Sequence, residues 1–337
     1  MRGKFYMDGR DALAEYGVFV EQYGYKGLIQ YPAFKKLTST SWPGEDGDEV
    51  DLSDVQLDTR SFQMQFGIKN VRYAEDFFDD LSTGAYHEFV FPELGGKTYK
   101  LRMSQNGSFS QHIKLGKLTI TLHDDFPTLP EGEPYRLGKS EIRQVGYEID
   151  GVDMSQFGAW VLQGSDESIR KAPNTKDNLK IDNKTISGII YDGDYVHFKT
   201  KDVTLKLLID CDGIEEFWKR YYSLFAVLLK SDNRIFYYTA LNAEFDCYYK
   251  SCTVQKFDIL PSGKVWCEFN VALTFMSARP VGQYKLLASE IFDYIITEDG
   301  ARVIVRPKYG LSLLISEEGA YIITETENNK IFINNSN

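Results

Sequence analysis

Four histidines are the side chains best suited to catalysis or metal binding: His87, His112, His123 and His197. No two of them have the HxxxH or HExxH spacing that places two ligands on one helix face. We therefore expect them to lie at the surface or to pack within strands. The sequence also contains neither a GxSxG nucleophile motif nor a Walker-type phosphate loop. These features predict a protein that is not an enzyme and that has no catalytic residue, cofactor site or metal site.

Carboxylates and tryptophans leave a sugar-directed role open. The two acids of a glycoside hydrolase can be distant in sequence, and the chain has 49 Asp and Glu residues. Trp160 and Trp218 fall on apolar stripes and are predicted to be core residues, whereas Trp42 lies in a predicted loop and is expected to be exposed. A glycan-processing enzyme and a carbohydrate-binding or adhesin-type β-sandwich are therefore alternatives to the function inferred below.

One acidic loop has a composition that suggests calcium binding. The sequence DGDEVDLSD at residues 46–54 places four aspartates at loop-like spacing. Its order departs from that of an EF-hand, because Val50 occupies a ligand position and the central glycine is missing. We expect a solvated acidic loop, and calcium binding there is left open.

Composition limits the class of protein. A chain of 337 residues with 43% hydrophobic content can bury two or three ordinary cores. Its net charge of −11 is spread along the sequence, which argues against tight binding of nucleic-acid phosphates. The sequence lacks a long apolar run and a signal-peptide pattern, so we expect synthesis in a cytoplasm and no membrane contact. Four cysteines without CxxC spacing indicate reduced thiols that pack in the interior: Cys211, Cys247, Cys252 and Cys267.

The sequence contains a large internal repeat. The pattern D-G-x-D, followed by aromatic-Gly-x-aromatic-Val, begins at Asp8 and again at Asp150. The offset from Gly17 to Gly158 is 141 residues. The same offset relates two alternating apolar runs, Phe62-Met64-Phe66-Ile68 and Val203-Leu205-Leu207-Ile209. Alternation with a period of two predicts a strand with one buried face in each half.

Each half also has one strong helix signal. In the second half, Asp212 is the predicted N-cap of a helix whose apolar stripe consists of Ile214, Phe217, Trp218, Tyr221, Phe225 and Leu228. In the first half, the corresponding stripe runs from Val71 to Leu81, with Asn70 as the predicted N-cap. We expect each helix to lie across the open face of its own sheet. Further alternating runs predict strands after each helix: residues 99–103 and 118–122 in the first half, and 265–275 in the second.

These repeats predict a mainly β fold of the sandwich or barrel type, with one helix per domain. The predicted divisions are a first domain at 1–127, a proline-containing linker at 128–146, a second domain at 147–280, and a small β unit at 281–337. In the last unit, LLASEIFDYIITE at 286–298 recurs as LLISEEGAYIITE at 313–325, with nine of thirteen positions identical. Each copy predicts a hairpin. The two hairpins could form a small domain or an arm that adds strands to a neighbour, and both possibilities stay open.

The opening of each half resembles the distal tail proteins of long-tailed bacteriophages and prophages, whose first domain has the tail-tube fold. The resemblance is carried in the first half by Tyr16-Gly17-Val18, the segment Trp42–Gly47, Thr59-Arg60-Ser61-Phe62, and the helix near Phe77-Phe78. The second half keeps Phe157-Gly158 but has Lys201 where Arg60 would fall, and its Gly-rich turn is reduced to residues 192–194. The resemblance covers residues 5–125 well and 147–280 loosely.

This resemblance implies a structural protein of the phage tail tip or baseplate, located in the virion tail. Such proteins form rings that join the tail tube to the host-binding tip, with six tube-like domains around a channel. A duplicated chain would fill such a ring as a homo-trimer, and a hexamer is the alternative. The implied partners are other copies of the chain and the tube, hub and receptor-binding proteins. DNA would pass through an acidic channel without specific binding.

Overall fold

The structure is a computed structural model that describes most of the chain to residue 286 and three short strands beyond it. The described residues are 3–69, 74–84, 86–105, 108–112, 115–130, 134–137, 143–177, 180–185, 187–191, 193, 196–277, 282–283, 285–286, 303–308, 311–316 and 332–334. The fold is mainly β, because two eight-stranded sheets, each curled into a half-barrel, make up most of it. The predicted β-rich, two-domain fold class is therefore confirmed.

In the described residues of the first half, the chain forms a large antiparallel sheet and three α-helices. Its elements are β1 (Tyr6–Met7), β2 (Arg10–Asp11), α1 (Ala12–Glu15), β3 (Val18–Val20), α2 (Lys26–Ile29), β4 (Ser39–Thr40), β5 (Glu49–Val50), β6 (Arg60–Ile68), α3 (Ala74–Ser82), β7 (His87–Phe91), β8 (Lys97–Gln105), β9 (Phe109–His112) and β10 (Leu115–Asp124). The strand order is β2-β1-β7-β8-β10-β6-β3, with β9 also paired to β10. Strands β4 and β5 form a separate two-stranded hairpin.

The second half repeats this arrangement. Its elements are β11 (Tyr147–Ile149), β12 (Val152–Asp153), β13 (Ala159–Val161), α4 (Ser165–Arg170), β14 (Lys180–Asp182), β15 (Ile189–Tyr191), β16 (Lys201–Cys211), α5 (Ile214–Leu228), β17 (Arg234–Tyr238), β18 (Ala243–Ile259), β19 (Val265–Phe275) and β20 (Gly282–Gln283). The strand order is β12-β11-β17-β18-β19-β16-β13, with β20 on β18. Strands β14 and β15 again form a separate hairpin, so the two orders match position by position.

The two halves match in register as well as in strand order. Three pairings of the first half recur in the second at an offset of 141 residues. The pair Val18–Ile68 corresponds to Ala159–Ile209, Ser39–Val50 corresponds to Lys180–Tyr191, and Phe34–Leu57 corresponds to Thr175–Phe198. A one-residue slip would turn every buried side chain of a strand to the opposite face. The predicted duplication is therefore present in the backbone pairing itself.

The two D-G-x-D turns are also equivalent in detail. Asp8 and Asp150 have the left-handed backbone conformation, with φ of 51° and 50°. The Asp8 carboxylate lies 2.6 Å from Nδ1 of His87, and the Asp150 carboxylate accepts a hydrogen bond from Nη1 of Arg234 at 2.9 Å. Each carboxylate also accepts a hydrogen bond from the backbone amide of the next residue after that partner, Glu88 at 2.8 Å and Ile235 at 3.0 Å. These acidic residues therefore stabilise turns.

The long helix of each half packs on its own sheet, as predicted. In α5 the predicted apolar stripe is buried apart from Ile214, which is half-buried. In α3 the buried ring of Phe77 contacts the rings of Phe5 and Phe66. The predicted cap at Asp212 is wrong: the N-cap is Gly213, with φ of 113° and no side-chain capping bond. The predicted cap Asn70, with Val71, lies outside the described residues.

The alternating runs form the predicted strands, and their buried side chains meet in one core. Strands β6, β8, β10, β16 and β19 contain the five predicted runs. A single cluster of buried apolar residues extends through both halves. All four cysteines are free and buried in β16, β18 and β19 of the second half. The domain boundaries given above remain a prediction.

A small four-stranded sheet follows, with the order β21 (Lys285–Leu286), β22 (Val303–Lys308), β23 (Leu311–Ser316) and β24 (Phe332–Asn334). Residues 303–305 lie in β22, and the Leu-Leu run of the second short repeat lies in β23. The Tyr-Ile-Ile runs of both copies of the short repeat lie outside the described residues, as do residues 192 and 194 of the reduced turn.

Candidate assembly surfaces

The histidines do not come together in the described part of the chain. His87 is buried against Asp8 at the start of β7, and His197 lies 3.7 Å from Asp46. His123 lies in β10, and its Nδ1 is buried without a hydrogen-bond partner. Among the described residues, no group of three or more His, Cys, Asp or Glu side chains is arranged to hold a metal ion. None of the described helices is long and apolar enough to span a membrane.

The tryptophan predictions are confirmed at two positions and wrong at a third. Trp42 is 51% exposed and Trp218 is 7% exposed, as expected. Trp160 is 41% exposed rather than buried. The reason is that β13 is an edge strand on which the neighbouring Ala159 faces the core, so successive side chains alternate and the Trp160 ring points away from it.

The acidic loop at residues 46–54 makes hydrogen bonds with the protein. The Asp46 carboxylate accepts the backbone amide of Phe198 at 2.8 Å, and Asp48 lies 3.7 Å from the ammonium group of Lys176. The Asp51 carboxylate accepts the amide and hydroxyl of Ser53, which lowers its pKa. Two of these aspartates therefore bind the second half of the chain, which identifies the loop as a contact segment.

The segment after α2 packs deeply on the second half. The Tyr31 ring stacks on Phe225 of α5, with ring centres 4.4 Å apart and planes 11° apart. The buried Tyr221 hydroxyl donates to the carbonyl of Ile29 at 2.8 Å, and that of Tyr249 donates to the carbonyl of Pro32 at 3.0 Å. Burial raises the pKa of both hydroxyls, so they remain donors. This contact joins α2 to α5 and β18.

Arg60, which the 141-residue offset aligns with Lys201, holds the end of α2 in place. Its guanidinium lies 2.8 Å from the Asp124 carboxylate and donates to the carbonyls of Leu28 and Gln30. In the second half, Lys201 donates to the carbonyl of Ile169 at the end of α4. The same 141-residue offset relates the two acceptors, residues 28 and 169. The basic residue at this position therefore fixes the short helix that precedes each arm.

The β4–β5 hairpin and the residues beside it lie on the second half; we call this hairpin, residues 39–50, the first arm. The amide of Gly47 donates to the carbonyl of Phe198 at 2.7 Å, and the amide of Asp48 donates to that of Met276 at 3.3 Å. The Lys176 ammonium donates to the carbonyl of Trp42 at 3.0 Å and to that of Gly47. Backbone groups supply most of these bonds, so they depend on the shape of the arm more than on its side chains.

The equivalent hairpin of β14 and β15, which we call the second arm, is exposed at each of its residues that the structure describes. Its apolar side chains are more than half exposed: Ile181 62%, Ile189 57%, Ile190 58% and Tyr191 53%. A monomeric soluble protein rarely leaves apolar side chains clustered in this way. The second arm is therefore a candidate interaction surface.

A cleft of about 610 Å³ lies between β8, the residues around 126–130, and α5. Within it, the Lys97 ammonium lies 3.9 Å from the ring centre of Trp218 and 3.8 Å from that of Tyr222. It also donates to the Tyr222 hydroxyl at 2.5 Å. Burial lowers the pKa of Lys97 to about 8. These contacts tie β8 of the first half to α5 of the second, and the cleft is thus part of the joint between the halves.

Sequence reasoning did not identify either arm. The 141-residue offset aligns residues 39–50 with 180–191, and applying it to the segments between the predicted strands would have revealed two equivalent hairpins. What the sequence did not contain was the difference between them. One arm lies on a sheet of its own chain and the other is exposed.

No protein-family model matches the chain, and no curated protein matches it. Among solved structures, the chain is similar to the Dit protein (gp 19.1) of SPP1, described as a paradigm of the hub adsorption apparatus in phages that infect Gram-positive bacteria. The two share 10% sequence identity, and the match covers 81% of this chain and 98% of SPP1 Dit, with a TM-score of 0.30. A TM-score of this size does not establish a shared fold.

Proposed function

We propose that this protein is a structural ring component of a phage or prophage tail tip. In this proposal it is a distal-tail-type virion protein that joins the tail tube to the host-binding tip. The observation that carries the proposal is that two sheets with the same strand order and register lie side by side in one chain, joined by the first arm. The resemblance of the opening of each half to distal tail proteins supplies the biological setting.

The joint between the halves has the properties of a head-to-tail contact. One half contributes its α2 segment and first arm, and the other contributes α5, β18 and the residues around Phe198 and Met276. Two equivalent units thus meet through different surfaces. Contacts of this type form a closed ring when the rotation that relates the units closes, and an open filament otherwise. A trimer of this chain would set six equivalent sheets around an axis, and six copies would set twelve.

The charge of the chain fits a passage for DNA. With 49 acidic and 38 basic residues, the surface repels phosphates, so DNA could slide past without being held. In this proposal the neighbours of the ring are the tube, hub and receptor-binding proteins. The protein performs no catalysis, and its function is to hold these components around the channel.

The oligomeric state of the purified full-length protein tests this proposal. We expect light scattering coupled to size-exclusion chromatography to give a mass of three or six chains, and negative-stain images to show annular particles with a central hole. A single-chain mass at micromolar concentration, together with compact particles without a hole, would contradict the proposal.

A further inference from the structure

We infer that the second arm binds the first half of a second copy of this chain, in the way that the first arm binds the second half of its own chain. This inference rests on the proposed ring assembly and names the surfaces that close it. The occupant of the second arm is thus another copy of the same protein. The contact inside one chain is the template for the contact between chains.

The two arms are equivalent hairpins. Ser39 pairs with Val50 in the first arm, and Lys180 pairs with Tyr191 in the second, so strand register is preserved at an offset of 141. Each arm follows a short helix held by a basic residue of the next long strand, Arg60 or Lys201, as described above. Both arms therefore leave their sheets at the same place.

The surface that receives the first arm is also duplicated. In the second half, the amide of Lys176 donates to the carbonyl of His197 at 2.7 Å, and this backbone presents the ammonium group to the arm. In the first half, the amide of Lys35 donates to the carbonyl of Gln56 at 2.8 Å, which is the same bond 141 residues earlier. Lys176 is 6% exposed beneath the first arm, whereas Lys35 is exposed. Lys35 is therefore the residue expected to hold the second arm.

The turn of each arm has a glycine where close approach is needed. Gly47 has φ of 71°, and a Cβ there would lie 1.6 Å from the carbonyl oxygen of Met276. Gly188, at the equivalent position, has φ of 93° and no atom within 4 Å of the Cβ position. Gly188 thus has the left-handed conformation with which Gly47 approaches the Met276 backbone. The space that the backbone of a docking partner would occupy beside Gly188 is open.

The direction of docking selects the side chains that become buried. In the first arm, Asp48 and Val50 are half-buried, and Asp48 faces Lys176 of the second half at 3.7 Å. The equivalent residues of the second arm are Ile189 and Tyr191, 57% and 53% exposed. Covering these two side chains removes apolar surface from water, which favours association. The second arm is exposed within its own chain. The first half that covers it in the assembly therefore belongs to another copy.

Charge substitution on the docking face tests the inference. In the variant Ile189→Asp/Tyr191→Asp, we expect the oligomer to dissociate, with affinity between copies lowered at least about tenfold. The melting temperature of the protomer should not fall, because both side chains are exposed within it. The control is Leu260→Asp, in the β18–β19 turn, where an apolar residue 38% exposed is replaced by a single carboxylate and the oligomer should persist. An Ile189→Asp/Tyr191→Asp variant that keeps the wild-type mass would overturn the inference.

Cross-linking of the unaltered protein gives an independent test. Copies labelled with ¹⁴N and ¹⁵N are mixed, reassembled and treated with an amine-reactive cross-linker. We expect mixed-isotope peptides that join Lys35 to Lys184, because Lys184 is equivalent to Pro43, next to the carbonyl that accepts from Lys176. If the protein forms oligomers but no cross-link joins the second arm to the first half of another copy, this inference is contradicted and the ring proposal is not. A monomeric wild-type protein would instead refute the ring proposal.

Discussion

The carboxylate of Asp124 lies 2.8 Å from the guanidinium of Arg60, and only 10% and 13% of these side chains are exposed. Removing one partner of such a pair leaves an uncompensated charge in the interior. We expect Arg60→Met to lower the free energy of unfolding by about 3–5 kcal/mol, as measured by urea denaturation. The matched control is Lys201→Met at the equivalent position, which breaks a bond to a carbonyl and should cost about 1 kcal/mol. Equal losses for the two variants would show that the Asp124 pair adds nothing.

The first arm depends on the absence of a side chain at residue 47. A Cβ at Gly47 would overlap the carbonyl of Met276, and the backbone there is left-handed. We expect Gly47→Ala to lift the arm from the second half at a cost of roughly 1–3 kcal/mol. Hydrogen exchange should then accelerate at the amides of Asp48 and Asp232, which donate to the carbonyls of Met276 and Leu52.

The matched control for this variant is Gly188→Ala. Gly188 has the same left-handed backbone, but its Cβ position is open. Within one chain, the substitution should add local strain only and leave exchange at Asp48 and Asp232 unchanged. Unchanged protection of these two amides in Gly47→Ala would show that the first arm is not held by close approach.

The stack of Phe225 on Tyr31 should contribute strongly to stability. Phe225 is 0% exposed, so Phe225→Ala leaves a cavity in the core shared by the two halves. We expect a loss of about 3–5 kcal/mol in the free energy of unfolding. Trp160→Ala is the comparison, because this large side chain is 41% exposed at a sheet edge and should cost less than about 1 kcal/mol. A larger loss for Trp160→Ala would place Trp160 in the core after all.

The half-buried ammonium of Lys97 predicts a pH dependence. Burial lowers its pKa from 10.5 to about 8, so the unfolded chain binds more protons between these values. The contribution of Lys97 to stability should therefore become more favourable as the pH rises from about 8 toward 10.5, and the cost of burying its charge is fully present below about pH 8. Across this pH range, the free energy of unfolding should gain about 1–2 kcal/mol from Lys97, a value that includes a reduction for the partial exposure of the side chain.

Urea denaturation between pH 7.5 and 9.5 measures this effect, below the range in which tyrosines titrate. We expect the difference in stability between wild type and Lys97→Met to change across this range in favour of the wild type. Lys100→Met removes an exposed lysine from the same strand and should follow the wild-type curve. A constant difference between wild type and Lys97→Met would mean that the ammonium is not destabilised by burial.

Strands and the long helix were predictable because their signals are local. The alternation of Phe62, Met64, Phe66 and Ile68 requires only that one face be buried, and β6 satisfies it. The Asp212 cap failed because Gly213, with φ of 113°, takes the capping position and leaves no side-chain oxygen there. The apolar stripe around Trp160 predicts a core residue, but the edge position of β13 decides which face is covered.

The joint between the halves could not be predicted, because it depends on contacts between distant residues. The bond from Tyr221 to Ile29 spans 192 residues, and that from Lys176 to Trp42 spans 134. Neither is visible as a spacing or a motif. Only the repeat itself was visible, and a repeat gives equivalent surfaces without showing which of them are occupied.

The chain segment between Asp124 and Tyr147 keeps the first arm and its docking site on one molecule. Their encounter is unimolecular, at an effective concentration of millimolar order, and dilution does not separate them. The second arm has no such tether, so its contact depends on how many copies are present. In a closed ring of these sheets, half of the contacts between neighbouring sheets are thus made within one molecule, and covalent linkage fixes the two halves at equal numbers.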